Sequence, residues 1–143
     1  MTCKFEHILA RIVTNLAGTT GVSTRIYRSR LIPLQRNEFP AIVVEPVSSS
    51  ASATSHSTLD WELQVRVIIL VQGSTTTSPD QAVDSIMESM WPKMTTDLTL
   101  YGNAIDIEPT GTEFLMSDGD QPTGAITTNW NIRYRTELDD LTQ

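Results

Sequence analysis

Cysteine is almost absent from this chain, and its scarcity excludes two kinds of structure. Cys3 is the only cysteine among 143 residues, so neither a disulfide within the chain nor a metal cluster built on cysteines can form. Long apolar runs are missing as well, since no stretch approaches the roughly 20 residues of a membrane-spanning helix. The first residues also lack the pattern of a secretory signal. We therefore expect a protein without membrane contact that folds in the reducing cytoplasm.

Positive charge is the second scarcity. Ten basic residues stand against seventeen acidic ones, which gives a net charge of −7. This balance repels phosphate backbones and argues against a general nucleic-acid-binding module, although a local basic patch could still exist. The length suits one domain over residues 1–143 with a single core.

Motifs of catalysis and cofactor binding are the third absence. His7 and His56 lie in neither a Gly-x-Ser-x-Gly turn nor a His-Glu-x-x-His pattern. The glycines at 18 and 21 follow a predicted helix, whereas a phosphate-binding turn must follow a strand and open a helix. We expect no enzymatic activity and no cofactor.

Two amphipathic helices are predicted. The first has an apolar face from Phe5 to Leu16 and ends near Gly18, because glycine tolerates the left-handed conformation that closes helices. The second begins at Ser78-Pro79-Asp80-Gln81, which combines an N-cap serine, proline at the first position and a capping-box glutamine. Its apolar face extends to Trp91, and we expect Pro92 to stop it.

Five strands are predicted from alternation and β-branched composition. The longest has Trp61 and every second residue to Val71 on one side, while Ile68 and Leu70 make the far end of its other side apolar too. That end should be covered on both faces. The predicted strands are Arg25–Ile32, Ala41–Glu45 with an edge or bulge at Pro46, Leu59–Val71, Ala104–Glu108 ending at Pro109, and Ala125–Thr136.

Three segments are predicted to be irregular. The serine-rich stretch at about 48–58 has little to bury and should be a flexible loop. A glycine- and acid-rich loop should follow Pro109, and the acidic C-terminus at about 137–143 should fray. The predicted fold class is α+β, with a single mixed, largely antiparallel sheet and both helices packed on one face.

One candidate site is metallic. Asp106 and Glu108 share a strand face, and Asp120 follows in an acidic turn, so a small metal-dependent enzyme is an alternative to consider. However, the turn lacks the further ligands of a calcium-binding loop and is explained by its Gly, Pro and Asp residues. The favoured interpretation therefore includes no metal site.

The other candidate site is a surface. Arginines alternate on two strands, and they could form a solvated face, cross-strand ion pairs or contacts between subunits. The half-apolar second side of the longest strand favours subunit contacts, because an open sheet needs a partner or protection. The candidate interface residues are Arg28, Arg30, Glu45, Glu62, Arg66, Arg133 and Arg135.

Several segments together resemble the tail terminator, or tail completion, proteins of long-tailed bacteriophages, a group that includes the lambda-type minor tail protein U. None of them is a chemical signature, and the resemblance lies in their order and spacing along almost the whole chain. They are Ile26–Arg30 with Pro33-Leu34, Glu38–Pro46, Leu59–Leu63, Asp106–Glu113, Asp118–Pro122 and Tyr134–Thr136.

The resemblance implies a virion protein assembled in the host cytoplasm. It implies a ring, commonly a hexamer, that docks on the tail tube protein, stops tube polymerisation and presents the surface joined by the head-tail connector or stopper protein. DNA would pass through the channel without specific binding, and the segments with Ser50 and His56 and with Asp118 and Asp120 would contact tube or connector. A neck or head-completion protein is the nearest alternative, because such proteins share size, architecture and ring assembly.

Overall fold

A five-stranded sheet organises the part of the chain described by this computed structural model, namely residues 2–22, 25–28, 40–53, 57–73, 78–100, 102–117 and 123–142. Only the first two strands in the chain pair in parallel, and the others are antiparallel, so the predicted α+β fold with a mixed, largely antiparallel sheet is confirmed. The strands are β1 (Ile26–Arg28), β2 (Ala41–Ala53), β3 (Thr58–Gln72), β4 (Asp106–Ser117) and β5 (Thr123–Glu137), in the spatial order β1-β2-β3-β5-β4.

Helix α1 (Lys4–Leu16) agrees with its prediction. The side chains that recur every three or four residues, Ile8, Leu9, Ile12 and Leu16, are fully buried, as expected for one face of an amphipathic helix. The chain leaves the helix through Gly18, whose φ of +86° lies in the left-handed region that glycine adopts without strain.

The second predicted helix is divided in two. Helix α2 (Pro79–Ala82) and helix α3 (Asp84–Thr95) are separated at Val83. The N-terminal prediction is correct, because the Ser78 amide donates a hydrogen bond of 3.2 Å to Oε1 of Gln81. The predicted stop at Pro92 is wrong. The helix continues past it, with Met94 buried in the core on the following turn, and this burial offsets the backbone hydrogen bond that proline cannot donate.

All helices that the structure describes contribute to one core on one side of the sheet, hereafter the helix face. Trp130 of β5 lies at its centre, 1% exposed, with its ring centroid 4.7 Å from that of Trp91. The alternate residues of β3 from Leu63 to Val71 are buried here as predicted, and Trp61 is half-buried at the margin. Both helices therefore pack on the same face.

The predicted flexible loop at about 48–58 is wrong for most of its length. Strand β2 continues to Ala53 and pairs with β3 from Ser48 opposite Gln64 to Ala53 opposite Leu59. The side chains of this half of β2 are exposed, so their composition carries no burial signal. The backbone nevertheless pairs, because β3 presents a long row of amide and carbonyl groups. The predicted bulge at Pro46 is present, as the register shifts between Pro46 and Ser48.

Two further irregular segments were also predicted wrongly. Strand β4 continues through a bulge between Pro109 and Gly111 and pairs with β5 as far as Ser117. The C-terminal residues are held by the Lys4 amide, which donates 2.8 Å to the Leu141 carbonyl, and by the Leu138 amide, which donates 2.8 Å to that of Ser57. Backbone pairing explains both cases, since neither segment buries a periodic row of apolar side chains. The predicted strand at 25–32 is seen from Ile26 to Arg28. Arg25 precedes it, and residues 29–32 lie outside the described residues.

Candidate functional site

The side of the sheet opposite the helices, hereafter the second face, holds most of the charged residues selected from the sequence. Cross-strand register arranges them in rows across β2, β3, β5 and β4. Neighbouring positions on one face lie about 5 Å apart, close enough for opposite charges to pair. The rows are Ser52-Asp60-Arg135, Ser50-Glu62-Arg133-Asp106, Ser48-Gln64-Asn131-Glu108 and Glu45-Arg66-Asn129.

Ion pairs within the chain engage all three arginines of this face. Arg133 donates through Nε to Oδ1 of Asp106 at 2.9 Å and through Nη2 to Oδ2. Arg135 Nε lies 2.6 Å from Oδ1 of Asp60, and Arg66 Nη2 lies 2.6 Å from Oε1 of Glu45. Hydrogen bonding to Arg133 and Arg135 lowers the pKa of Asp106 and of Asp60, respectively. Cross-strand pairing, one of the three predicted roles, is therefore present within the subunit.

The acidic side chains of Glu62 and Glu108 flank this network. Both are exposed, and their charges help to raise the pKa of Arg133, chiefly raised by its hydrogen bond to Asp106. Exposed ion pairs contribute little to stability, typically about 0–1 kcal/mol each. Their value on this face lies in orientation, because each fixes an arginine at a defined position.

The other end of the second face is apolar. Val43 of β2 is opposite Ile68 of β3, and Ala41 is opposite Leu70. Val43 is buried, whereas Ile68 and Leu70 are half-buried. The predicted two-sided character of β3 is thus present, with a charged half and an apolar half on one continuous surface. Whether this surface meets a neighbouring subunit stays a prediction.

A depression of about 570 Å³ opens on the charged half. Its walls combine the small side chains of Ser50 and Ser52 with the paired residues Asp60, Arg133 and Arg135. Opposite charges already neutralise one another here, so the depression suits contact with a polar protein surface better than capture of a single ion.

Arg28 lies elsewhere. It is opposite the buried Val44 on the helix face, where its two terminal nitrogens donate 2.9 and 2.7 Å hydrogen bonds to the Glu6 carboxylate of α1. This bond lowers the pKa of Glu6. The predicted interface residues therefore lie in two places. Arg28 connects β1 to α1. The second face holds the others that are described, namely Glu45, Glu62, Arg66, Arg133 and Arg135.

The predicted contact loops are only partly described. Ser50 belongs to strand β2 and is exposed opposite Glu62. Arg30, His56, Asp118 and Asp120 lie outside the described residues. Of the metal alternative, Asp106 is engaged by Arg133 and Glu108 lies two residues along the strand. Within the described ranges, no group of three His, Cys, Asp or Glu side chains is arranged to hold a metal ion.

Two apolar surfaces were not predicted from the sequence. One is the exposed triplet Phe114-Leu115-Met116 at the end of β4, and the other is a groove beside α1 that includes Phe5 and Val47. The triplet lies in a segment predicted to be a loop, and the groove is assembled from residues of separate elements. The three consecutive apolar residues between Glu113 and Ser117 were the available signal, because loops rarely keep such a run without a contact to make.

No protein-family model matches the chain, and a search of curated proteins gives no significant similarity. Among the helices in the described part of the chain, none has the length and apolar character needed to span a membrane.

Proposed function

We propose that this chain is a tail terminator of a long-tailed bacteriophage, a virion protein that caps the tail tube, stops its polymerisation and forms part of the surface joined to the head. The observation that carries the proposal is the second face of the sheet. Charged pairs occupy one half and the half-buried Ile68 and Leu70 the other. Such a surface suits binding to other proteins, and the family resemblance in the sequence supplies the role.

The mechanism is one of surface complementarity. Apolar side chains provide the area that is removed from water on contact, while the oriented ion pairs provide register and reject surfaces of the wrong charge. Arranged in a ring, such subunits would cover the end of the tube and prevent the next tube subunit from adding. The net charge of −7 would leave DNA with little attraction to the channel.

A tube-capping assay tests the proposal. The tail tube protein of the same virus is polymerised with and without this chain, and tube length and end structure are measured by electron microscopy. We expect short tubes with density bound at one end. Unchanged tubes together with binding to DNA-filled heads would reject the terminator role in favour of a neck or head-completion protein.

Variants of the second face sharpen the assay. Ile68→Asp should abolish capping, because it places a charge in the apolar half, whereas Leu98→Asp is the control at an exposed apolar residue outside the second-face rows described above. The charge exchange Glu45→Arg with Arg66→Glu preserves the intrachain pair and reverses its polarity. Impaired capping by the folded exchange variant would show that the partner reads this polarity.

The metal-dependent alternative has its own test. Calorimetric titration of the chain with Mg²⁺, Mn²⁺ and Ca²⁺ should give no binding heat, because the Asp106 carboxylate is already bound by Arg133. Binding that disappears in Asp106→Asn and Glu108→Gln variants would instead favour the enzyme.

A further inference from the structure

The end of strand β4 is unusually exposed for an apolar segment. Phe114 is 58% exposed, Leu115 73% and Met116 42%. Every residue from Glu108 to Met116 is exposed on both faces of the strand. Among the described strands, β4 lies at one edge of the sheet, with β1 at the other, and it pairs only with β5. This triplet, hereafter the β4 tip, therefore presents apolar side chains to solvent, with Phe114 and Met116 on one face of the strand and Leu115 on the other.

The groove beside α1 is the second apolar surface. It encloses about 330 Å³ between the start of α1 and the bulged part of β2. Trp61 and Tyr134 stack in its lining, with ring centroids 6.1 Å apart. Its remaining side chains are mainly apolar, and Phe5, Val47 and Leu141 are each between 39% and 49% exposed.

These two surfaces cannot meet within one chain. Phe114 pairs with Ile126 on β5, whereas the groove contains Tyr134, eight residues farther along the same strand. At about 3.3 Å per residue the separation is roughly 26 Å, and the rigid sheet holds the surfaces apart. The β4 tip can therefore reach only the groove of another molecule.

We propose that the β4 tip of one copy inserts into the groove of a second copy, head to tail. The proposal deepens the proposed function, on whose ring it rests, by naming the surfaces that join the subunits. An exposed apolar strand end and an apolar groove on the same chain make each copy a partner for the next. Pairing of two β4 tips about a two-fold axis would leave the groove empty.

The areas decide how such copies assemble. Aromatic side chains bury roughly 150–250 Å² each when fully covered, and the tip and groove together expose only parts of two of them, Phe114 and Phe5, and of four aliphatic side chains. A stable pair buries about 1,200–2,000 Å² in total. One contact is therefore too small to hold a dimer, but a closed ring gives every copy two contacts.

This arrangement predicts assembly without a populated dimer. Analytical ultracentrifugation and native mass spectrometry over a wide concentration range should show monomer and one closed species, with intermediates scarcely populated. A dominant dimer, or a protein that remains monomeric throughout, would overturn the head-to-tail interface.

Three variants test the surfaces. Phe114→Ser with Met116→Ser removes the tip, Val47→Asp places a charge in the groove, and Leu98→Ser is the control at an exposed apolar residue in neither surface. Tip and groove variants should each weaken association by at least roughly tenfold, and the control should not. Circular dichroism checks folding, and a loss confined to the tip variant would point instead to two-fold pairing.

A cross-link gives a second readout that does not depend on strong association. In a Cys3→Ser background, the Phe114→Cys and Val47→Cys changes place one thiol on each surface. Oxidation should give disulfide-linked multimers, whereas each single-cysteine protein gives at most a dimer. Only intrachain or no cross-linking in a folded protein would overturn the proposal.

The tube-capping assay separates this inference from the proposed function. If the wild type caps tubes and the folded tip variant caps them equally well, the function stands and the interface falls. If the copies assemble through tip and groove but never bind tubes, the interface stands and the terminator role falls.

Discussion

At the scale of single residues, Thr128 connects two buried polar groups at the centre of the helix face. Its hydroxyl donates 2.9 Å to the Val67 carbonyl and accepts 2.9 Å from Nε1 of Trp130. The side chain is 1% exposed, so water cannot replace these bonds.

Thr128→Val should therefore destabilise the protein by about 1–3 kcal/mol although it barely changes the volume, because the Trp130 N–H loses its acceptor. Urea denaturation measures the effect. The control is Thr127→Val on the second face, where a change within about 0.5 kcal/mol is expected. Equal effects of the two substitutions would show that the buried hydroxyl has no special role.

The Glu6–Arg28 pair predicts a dependence of stability on pH. Hydrogen bonding to Arg28 lowers the folded-state pKa of Glu6 below its usual 4.5. The unfolded chain therefore takes up the proton first, so this stabilisation is fully present above about pH 4.5 and disappears as pH falls through the folded-state pKa.

Melting temperatures measured from pH 2.5 to pH 7 should show this loss of stability, because the pKa of a carboxyl group in a folded protein usually lies within about one unit of its ordinary value. Glu6→Gln should melt below wild type near neutral pH and approach it in acid. The control is Glu88→Gln on the exposed side of α3. A Glu6→Gln deficit that stayed constant with pH would contradict a contribution from the carboxylate charge.

At the scale of elements, Gly124 controls how closely α2 approaches the sheet. A Cβ built on it would lie 2.7 Å from Cβ of Pro79. Gly124→Ala should therefore cost about 1–3 kcal/mol through overpacking. Gly111→Ala is the matched control, since a Cβ there meets nothing within 4 Å. Thermal unfolding compares the two, and a neutral Gly124→Ala would mean that the helix start shifts freely.

The paired half of β2 predicts a pattern of hydrogen exchange. Amides that bond to β3 between Ser48 and Ala53 should be protected, while amides directed away from β3 exchange faster. Exchange measured by NMR distinguishes this alternating pattern from the uniformly fast exchange of a flexible loop.

Element boundaries show where sequence reasoning succeeds. Buried faces were predictable because periodic apolar residues record them, as in α1 and in the core side of β3. The outer halves of β2 and β4 were not, because backbone pairing with a long neighbour needs no apolar side chain. The helix end predicted at Pro92 was wrong for a related reason, because the packing of Met94 in the core outweighs the tendency of proline to end a helix.

The candidate site was likewise only partly predictable from the sequence. Alternation on β3 and β5 placed Glu62, Arg66, Arg133 and Arg135 on one face correctly. Alternation cannot show which elements pack around β1. Arg28 was therefore grouped with the other interface residues, whereas in the structure it pairs with Glu6 of α1. The β4 tip was missed because its strand had been predicted to end at Pro109.

At the scale of the whole molecule, helices cover one side of the sheet, whereas charged pairs and half-buried apolar residues lie on the second face and exposed apolar residues at the β4 tip. The residues of the buried core are therefore largely distinct from those of the proposed association surfaces. A folded subunit with an altered association surface is an expected outcome of substitutions on the second face or the β4 tip, and the proposed assays depend on this separation.

Because β2 contains a bulge, a change in chain length can alter the groove while the pairing of the strands stays the same. Val47 is the extra residue there, because Pro46 pairs with Val65 and Ser48 with the adjacent Gln64. Deleting Val47 would leave every other partner in the hairpin unchanged while removing one wall of the groove. The loss of this one residue would thus alter the proposed binding groove without changing the register of the sheet.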